Sequence, residues 1–324
     1  MLNRRSVISF LPAAALGLVP SEGEAQAFPS RPVRLIAPYP PGGGIDTVAR
    51  LIASPMSEVL GQSVVVENRA GAGGSIGAAA ASQAPADGHT LLLDALGHVI
   101  NPLLIRDLPF DYARAFAPVS LVVTQPIIVV GNPNLPIRSL AQLLERLKQP
   151  GADLSYGSSG NGTGPHIAAE SLLRQAGVRA THVPYRGAAP ALQDVMGGNV
   201  AFAVVTAGST VALAREGKVI PLAILSPERM ASLPDVPTAG EGAVPGFVFQ
   251  EWNGLFTPAG TPAPAIARLH QAAQHAVGQS AVRERLATMG AVPVGSDPAS
   301  FGSFLSAQRE TIAATVRAAG ITGG

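Results

Sequence analysis

Two glycine-rich turns, one in each half of this 324-residue chain, combine residue types and spacing that can do chemistry. The first is Tyr39-Pro40-Pro41-Gly42-Gly43-Gly44-Ile45-Asp46, which follows the apolar run Val33–Ala37. The second is Tyr156-Gly157-Ser158-Ser159-Gly160-Asn161-Gly162-Thr163-Gly164-Pro165-His166, which follows residues 152–155. Each turn opens a helical pattern. A strand that passes through glycines into a helix leaves backbone N–H groups free beside the positive end of that helix, and such an end attracts anions. Two such turns facing one another from two lobes can grip an acid at both of its ends. No convincing set of catalytic groups accompanies them.

Within the first turn, Gly42, Gly43 and Gly44 let the backbone approach a ligand oxygen closely, and Tyr39 stands at the end of the strand that leads in. Asp46 opens the following helix and can satisfy its free N–H groups. That helix-start role is the first reading of Asp46, because a carboxylate beside a bound carboxylate repels it; direct contact with ligand is the second. In the other turn, Ser158, Ser159, Asn161 and Thr163 supply hydroxyl and amide donors, while Gly160, Gly162 and Gly164 keep the path open. Pro165 suits the first turn of a helix. His166 either donates to the ligand or packs in that turn. Further along, Arg186 offers a forked cation to a carboxylate and Tyr185 can close over it. Ala95, Leu96, Gly97 and His98 are expected to floor the first lobe's site, with Thr206 and Ser209 at the corresponding place in the second.

The elements that must position these residues are short apolar runs alternating with helical patterns. Expected strands are Val33–Ala37, Ser63–Glu67, Thr90–Asp94, Val119–Val123, Ile127–Val130, Leu154–Tyr156, Thr181–Pro184, Val200–Val205 and Ile220–Leu225. Their near-unbroken Val, Ile and Leu content is that of strands buried on both faces. Between them lie helical stretches, among them the stripe Ile45, Val48, Leu51, Ile52, Met56, Val59 and Leu60, with a kink expected at Pro55. Alternation of this kind implies an α/β fold with parallel sheets covered by helices. The stretch 226–264 reads as loop-rich, and three helices follow at Pro264–Val277, Ala281–Met289 and Pro298–Ala319. Two extended segments, Ser120–Val130 and Pro221–Ser226, read as crossovers. They divide the chain into one lobe of residues 28–124 plus 226–324 and another of 125–225, joined by a two-segment hinge with a ligand cleft between.

The N-terminal segment 1–27 reads as a removable export signal. Arg4 and Arg5 precede a short apolar core, and Ala25-Gln26-Ala27 has the small-x-small form of a cleavage site. Whether the paired arginines mark the twin-arginine route stays open. The apolar core is too short for a membrane anchor and Pro12 breaks it. With no cysteine, the chain has no disulfide, thiol nucleophile or lipid-modified anchor. A net charge of +1 and only two lysines, Lys148 and Lys218, provide no basic stripe for nucleic acid.

Enzyme readings fit poorly. Gly71-Ala72-Gly73-Gly74-Ser75-Ile76-Gly77 imitates a dinucleotide fingerprint, with Asp94 at the end of the next expected strand. The spacing fails, because Ile76 stands where glycine is required. Gly157-Ser158-Ser159-Gly160 lacks the spacing of a hydrolase nucleophile turn, and Gly217-Lys218-Val219 ends wrongly for a phosphate-binding loop. None of the six histidines pairs with acids at metal-ligand spacing, so no metal and no cofactor is expected.

Several segments resemble the periplasmic solute receptors of tripartite tricarboxylate transporters, also called Bug receptors. They are 38–50 (Pro-Tyr-Pro-Pro-Gly-Gly-Gly-Ile-Asp-Thr-Val-Ala-Arg), 65–74, 87–92, 158–166, 182–187 (His-Val-Pro-Tyr-Arg-Gly), 233–238 and 252–262 (Trp-Asn-Gly-Leu-Phe-Thr-Pro-Ala-Gly-Thr-Pro). Each is weak alone; their common order behind an export signal carries the resemblance along nearly the whole mature chain. Ala115 departs from the acidic residue often found there. The resemblance implies a two-lobed periplasmic-binding-protein fold of the type II-like, venus-flytrap kind. It implies a monomeric receptor in the periplasm that captures a small carboxylate, without catalysis, for a membrane permease of the tripartite tricarboxylate type. A ligand-sensing receptor for a two-component system is the alternative, and an exported nucleotide-dependent oxidoreductase is a more distant one.

Overall fold

The computed structural model describes residues 28–322, so the export-signal expectation for 1–27 lies outside the described residues. Among the described residues, ten strands run in the order β1 (Val33–Ala37), β2 (Val64–Asn68), β3 (Thr90–Ala95), β4 (Phe116–Gly131), β5 (Ser155–Ser158), β6 (Thr181–Pro184), β7 (Phe202–Thr206), β8 (Ile220–Ile224), β9 (Gln250–Pro258) and β10 (Val292–Pro293). Eleven α-helices accompany them: α1 (Gly44–Leu60), α2 (Ser75–Ser82), α3 (Gly97–Leu104), α4 (Tyr112–Ala115), α5 (Leu140–Lys148), α6 (Gly164–Gln175), α7 (Ala188–Gly197), α8 (Val211–Arg215), α9 (Ala263–Gly278), α10 (Ser280–Thr288) and α11 (Pro298–Ala319).

One path of strands, β2-β1-β3-β9-β4-β7-β5-β6, orders the sheet, with β8 and β10 also pairing β4. Each half repeats a plan. β1 is flanked by parallel β2 and β3, and β5 by parallel β6 and β7. The glycine turns therefore sit at the carboxyl ends of equivalent strands, β1 and β5, where open α/β sheets place their ligands. The parallel pairings match the alternation in the sequence, whereas β4 and β9 run antiparallel to their neighbours.

β4 belongs to both halves. Residues Phe116–Pro126 pair with β9, and Ile127–Gly131 pair with β7 and β8. Thr124-Gln125-Pro126, which looks like an interruption in the sequence, is strand throughout. Pro126 lacks an N–H, and it lies where the ladder passes from β9 to β7, so a missing donor is tolerated there. A second correction concerns β9, a nine-residue strand inside the stretch expected to be loop. Glu251, Asn253, Gly254 and Pro258 hide its apolar pattern, and pairing on both edges with β3 and β4 fixes it instead.

Three apolar clusters hold these layers. One lies between β1, β3 and the helices α1, α9 and α10, with Leu35, Ile52, Met56 and Leu269 fully buried. A second, on an outer face of the other half, joins Ile128, Val195 and Val205 to Met230, Leu233 and Val236. Residues 230–236 thus pack with the second half, although the sequence boundary at 226 groups them with the first. The largest cluster links both halves through Trp252, Phe256, Phe301, Ile127 and Leu172. α11 serves it by packing on β4, α3 and α6 together. α1 continues unbroken through Pro55 and stops at Gly61, whose φ of 68° suits the glycine stop of a helix. α3 was not legible as a helix. Ahead of β8, a 3-10 turn at Ala207–Ser209 leads into the short α8.

A cleft between two glycine turns

The two turns face a common cleft of about 1300 Å³. Gly43 and Gly44 line it from the first turn and Asn161, Gly162, Thr163 and Gly164 from the second. Tyr39, Ala95, Gly97 and Thr206, each at or just beyond the carboxyl end of a strand, complete the lining that the sequence anticipates.

At the first turn, α1 begins with Gly44 and has no side-chain cap. Its opening N–H groups therefore have no intrahelical partner, since the first such bond is Thr47 N–H to the Gly43 carbonyl. Asp46 stands apart from the cleft lining. Its carboxylate accepts from the Gly42 N–H at 2.8 Å, from Arg50 Nε at 3.0 Å and from Asn68 Nδ2 at 2.8 Å. Burial pulls its pKa up, but these bonds outweigh it and hold the group below the usual carboxylate range. Asp46 thus fixes the turn, its first reading, and Gly42, at φ 80°, is the donor it holds rather than part of the lining.

Tyr39 lies over the glycine segment 73–74, with its hydroxyl donating to the Gly73 carbonyl at 3.3 Å. A Cβ on Gly97 would sit 2.7 Å from that hydroxyl. The run that imitates a dinucleotide fingerprint is therefore a seat for an aromatic ring. Beneath this floor, buried His98 bonds Asp94 at 3.1 Å and stacks on Phe256. Burial lowers its pKa despite the aspartate, so it supports the floor from below.

The second turn spends most of its donors on itself, a departure from the expected carboxylate dock. Ser158 is fully buried and pairs its Oγ with His182 Nε2 at 2.7 Å. Thr163 Oγ1 donates to the Gly160 carbonyl at 2.8 Å. The Gly162 N–H donates to His166 Nδ1 at 3.0 Å, and the His166 ring stacks on His182 with centroids 3.8 Å apart. Burial pushes both imidazoles down to about 4, with His182 adding to the effect on His166. Ser158, Ser159, Gly160 and His166 do not line the cleft. Neither do Tyr185, whose hydroxyl donates to Asp194 at 2.5 Å, nor the exposed Arg186.

Other lining residues escaped the sequence reading. Ile100 and Pro102 to Arg106, from α3 and its continuation, form an apolar wall that ends in an exposed arginine. Ile321 and Thr322, just after α11, also line the cleft, where the Thr322 carbonyl accepts from Asn161 Nδ2 at 3.4 Å. Gln125 from β4, with Glu251 and Asn253 from β9, supplies the remaining polar wall. The Trp252-Asn253-Gly254 segment, among those that carry the family resemblance, was the signal that could have led to β9, since it brackets Asn253.

Residues 48–321 match the model of the family described as the tripartite tricarboxylate transporter family receptor. The protein BugT of Bordetella pertussis is 35% identical over 91% of this chain and 91% of its own length. Among solved structures, R. palustris Rpa4515 with adipate is 32% identical, with a TM-score of 0.78, covering 92% of this chain and 100% of that one. MatC from Rhodopseudomonas palustris with bound malate is 35% identical, with a TM-score of 0.74, over 89% of this chain and 100% of that one. The fold is thus that of the periplasmic binding proteins.

Proposed function

Since the chain belongs to the receptor family of the tripartite tricarboxylate transporters, we propose that it is an exported, periplasmic receptor that holds a small organic carboxylate in this cleft. It delivers that ligand unchanged to a membrane permease of the tripartite tricarboxylate type. The halves built on β1–β3 and β5–β7 act as the two lobes, and binding draws them together over the ligand. Among the described residues no helix is long and apolar enough to cross a membrane, consistent with a receptor that meets its permease from outside. The observation that carries the reading is the shared cleft. Gly44, at an uncapped helix start, and Gly162, in the equivalent turn of the other half, line one cavity.

The free N–H groups of α1 supply an anion site made of backbone, which suits a carboxylate. The relatives solved with adipate and with malate support the ligand class. The test is a thermal-shift screen of mono-, di- and tricarboxylates, with mass spectrometry of anything released from freshly purified protein. A ligand that binds only the folded form stabilises it by about 2.7 kcal/mol at a hundredfold excess over its Kd. No shift with any acid, and no organic acid recovered, would refute the receptor reading.

A further inference from the structure

One side chain in the cleft narrows the ligand class, on the carboxylate-receptor reading given above. Glu251 reaches in from β9 and sets its carboxylate against Gly164, the first residue of α6. A Cβ on Gly164 would overlap that carboxylate. Pro165 follows and has no N–H, so the opening of α6 is occupied by an acid of the protein's own. Glu251 and Arg106 are the charged side chains of the cleft lining.

Among the described residues, Glu251 has no ion-pair partner. Facing it are Tyr39 from the first turn, which stays a neutral phenol because burial and the nearby acids raise its pKa, and Gln125, its partner across the β4–β9 ladder. α6 contributes His166, which is neutral above about pH 4. Behind the floor lie Asp94 and His98, bonded to one another. Burial pushes the Glu251 carboxyl up to about 7, and the Gly164 N–H offsets this only in part.

We propose that Glu251 selects the far end of the ligand, so that the cleft takes a carboxylate carrying a cationic nitrogen in preference to a dicarboxylate of the same length. The ligand's carboxylate goes to the free N–H groups of α1. Its ammonium gives Glu251 the counter-charge that the protein withholds. A second ligand carboxylate at that place would stand beside an unpaired acid, and one of the two must then take a proton. Dicarboxylate binding is accordingly linked to proton uptake and weakens by up to about tenfold per pH unit above the Glu251 pKa, while binding of the zwitterion strengthens as pH rises toward that pKa and levels off above it.

The experiment is calorimetric titration with the dicarboxylates from succinate to suberate and the ω-amino acids of matching length, at about pH 6 and about pH 8. Wild-type protein is compared with Glu251→Gln. The expected result is a preference for the zwitterion of at least about tenfold at the higher pH, narrowing at the lower. Glu251→Gln should abolish both the preference and its pH dependence. The pH series on wild type stands by itself if the variant folds poorly. Dicarboxylates that bind as tightly as the zwitterions at the higher pH, or a ratio that ignores pH, overturn the inference and leave the receptor reading intact. If neither series binds at all, the inference falls, and the receptor reading is decided by the wider acid screen.

Discussion

Replacing a single hydrogen at Gly44 tests the first turn more cleanly than any change in the second. A Cβ there meets nothing within 4 Å, and the backbone is ordinary helix. Gly44→Leu should therefore abolish ligand binding, measured by calorimetry, while leaving the unfolding temperature within a degree or two of wild type. Gly162 is a poorer choice, since its φ is 69° and a side chain would run into Leu104. The stacked imidazoles give a second expectation. Their pKa values are lowered on folding, so the unfolded chain binds more protons below its own histidine value of about 6.5. Stability is intact above that value and declines as pH falls from about 6.5 to about 4. The slope is at most about 1.4 kcal/mol per unit for buried His166, and less for half-buried His182. Protonating His166 Nδ1 also removes the acceptor of the Gly162 N–H, which loosens the second turn. Denaturant titrations through this range should show the decline, and His182→Gln should flatten it; a flat wild-type profile would sink the argument. At this scale the sequence conveyed which turns line the cleft, because glycine before a helix start has few structural alternatives. It did not convey that Ser158, Thr163 and Gly162 use up their donors internally. Thr163 and Gly162 bond within the turn itself, whereas the partner of Ser158 is His182 from the neighbouring strand β6.

Parallel strands and their following helices were legible because their side chains repeat the environment in which they sit. The elements missed were those defined by their neighbours. β9 is a strand because β3 and β4 bracket it, and α3 is a helix of eight residues interrupted by Pro102. Both contribute to the cleft, so the omissions in the fold became omissions in the site. β9 also anchors the central cluster. Gly254 leaves room for the Phe301 ring, which a Cβ would strike, and Phe301 packs 5.1 Å from Phe256 and 5.9 Å from Trp252. Phe301→Ala should cost about 3–5 kcal/mol, because a fully buried ring leaves a cavity between α11 and the sheet. A loss under about 1 kcal/mol in urea unfolding would mean that the helix collapses into the space.

Across the whole molecule, two halves of one sheet, alike in plan, share one long strand, and α11 packs on both halves. On the receptor reading, ligand should reduce the radius of gyration in small-angle scattering, with Gly44→Leu unresponsive. An unchanged scattering profile at saturating ligand would argue for a rigid cleft. The sequence pointed to crossovers near 125 and 225 but not to their nature. An extended run such as 116–131 looks the same whether it links two bodies as a tether or is woven into both. Here β4 is woven in, and the handover at Pro126 breaks no ladder. On the receptor reading, opening and shutting would amount to wringing a ribbon, as a torsion bar stores angle along its length, with no peptide group surrendered to water. Amide hydrogens along Leu121–Val130 should thus resist deuterium equally in the empty and occupied protein, while those of the glycine turns respond.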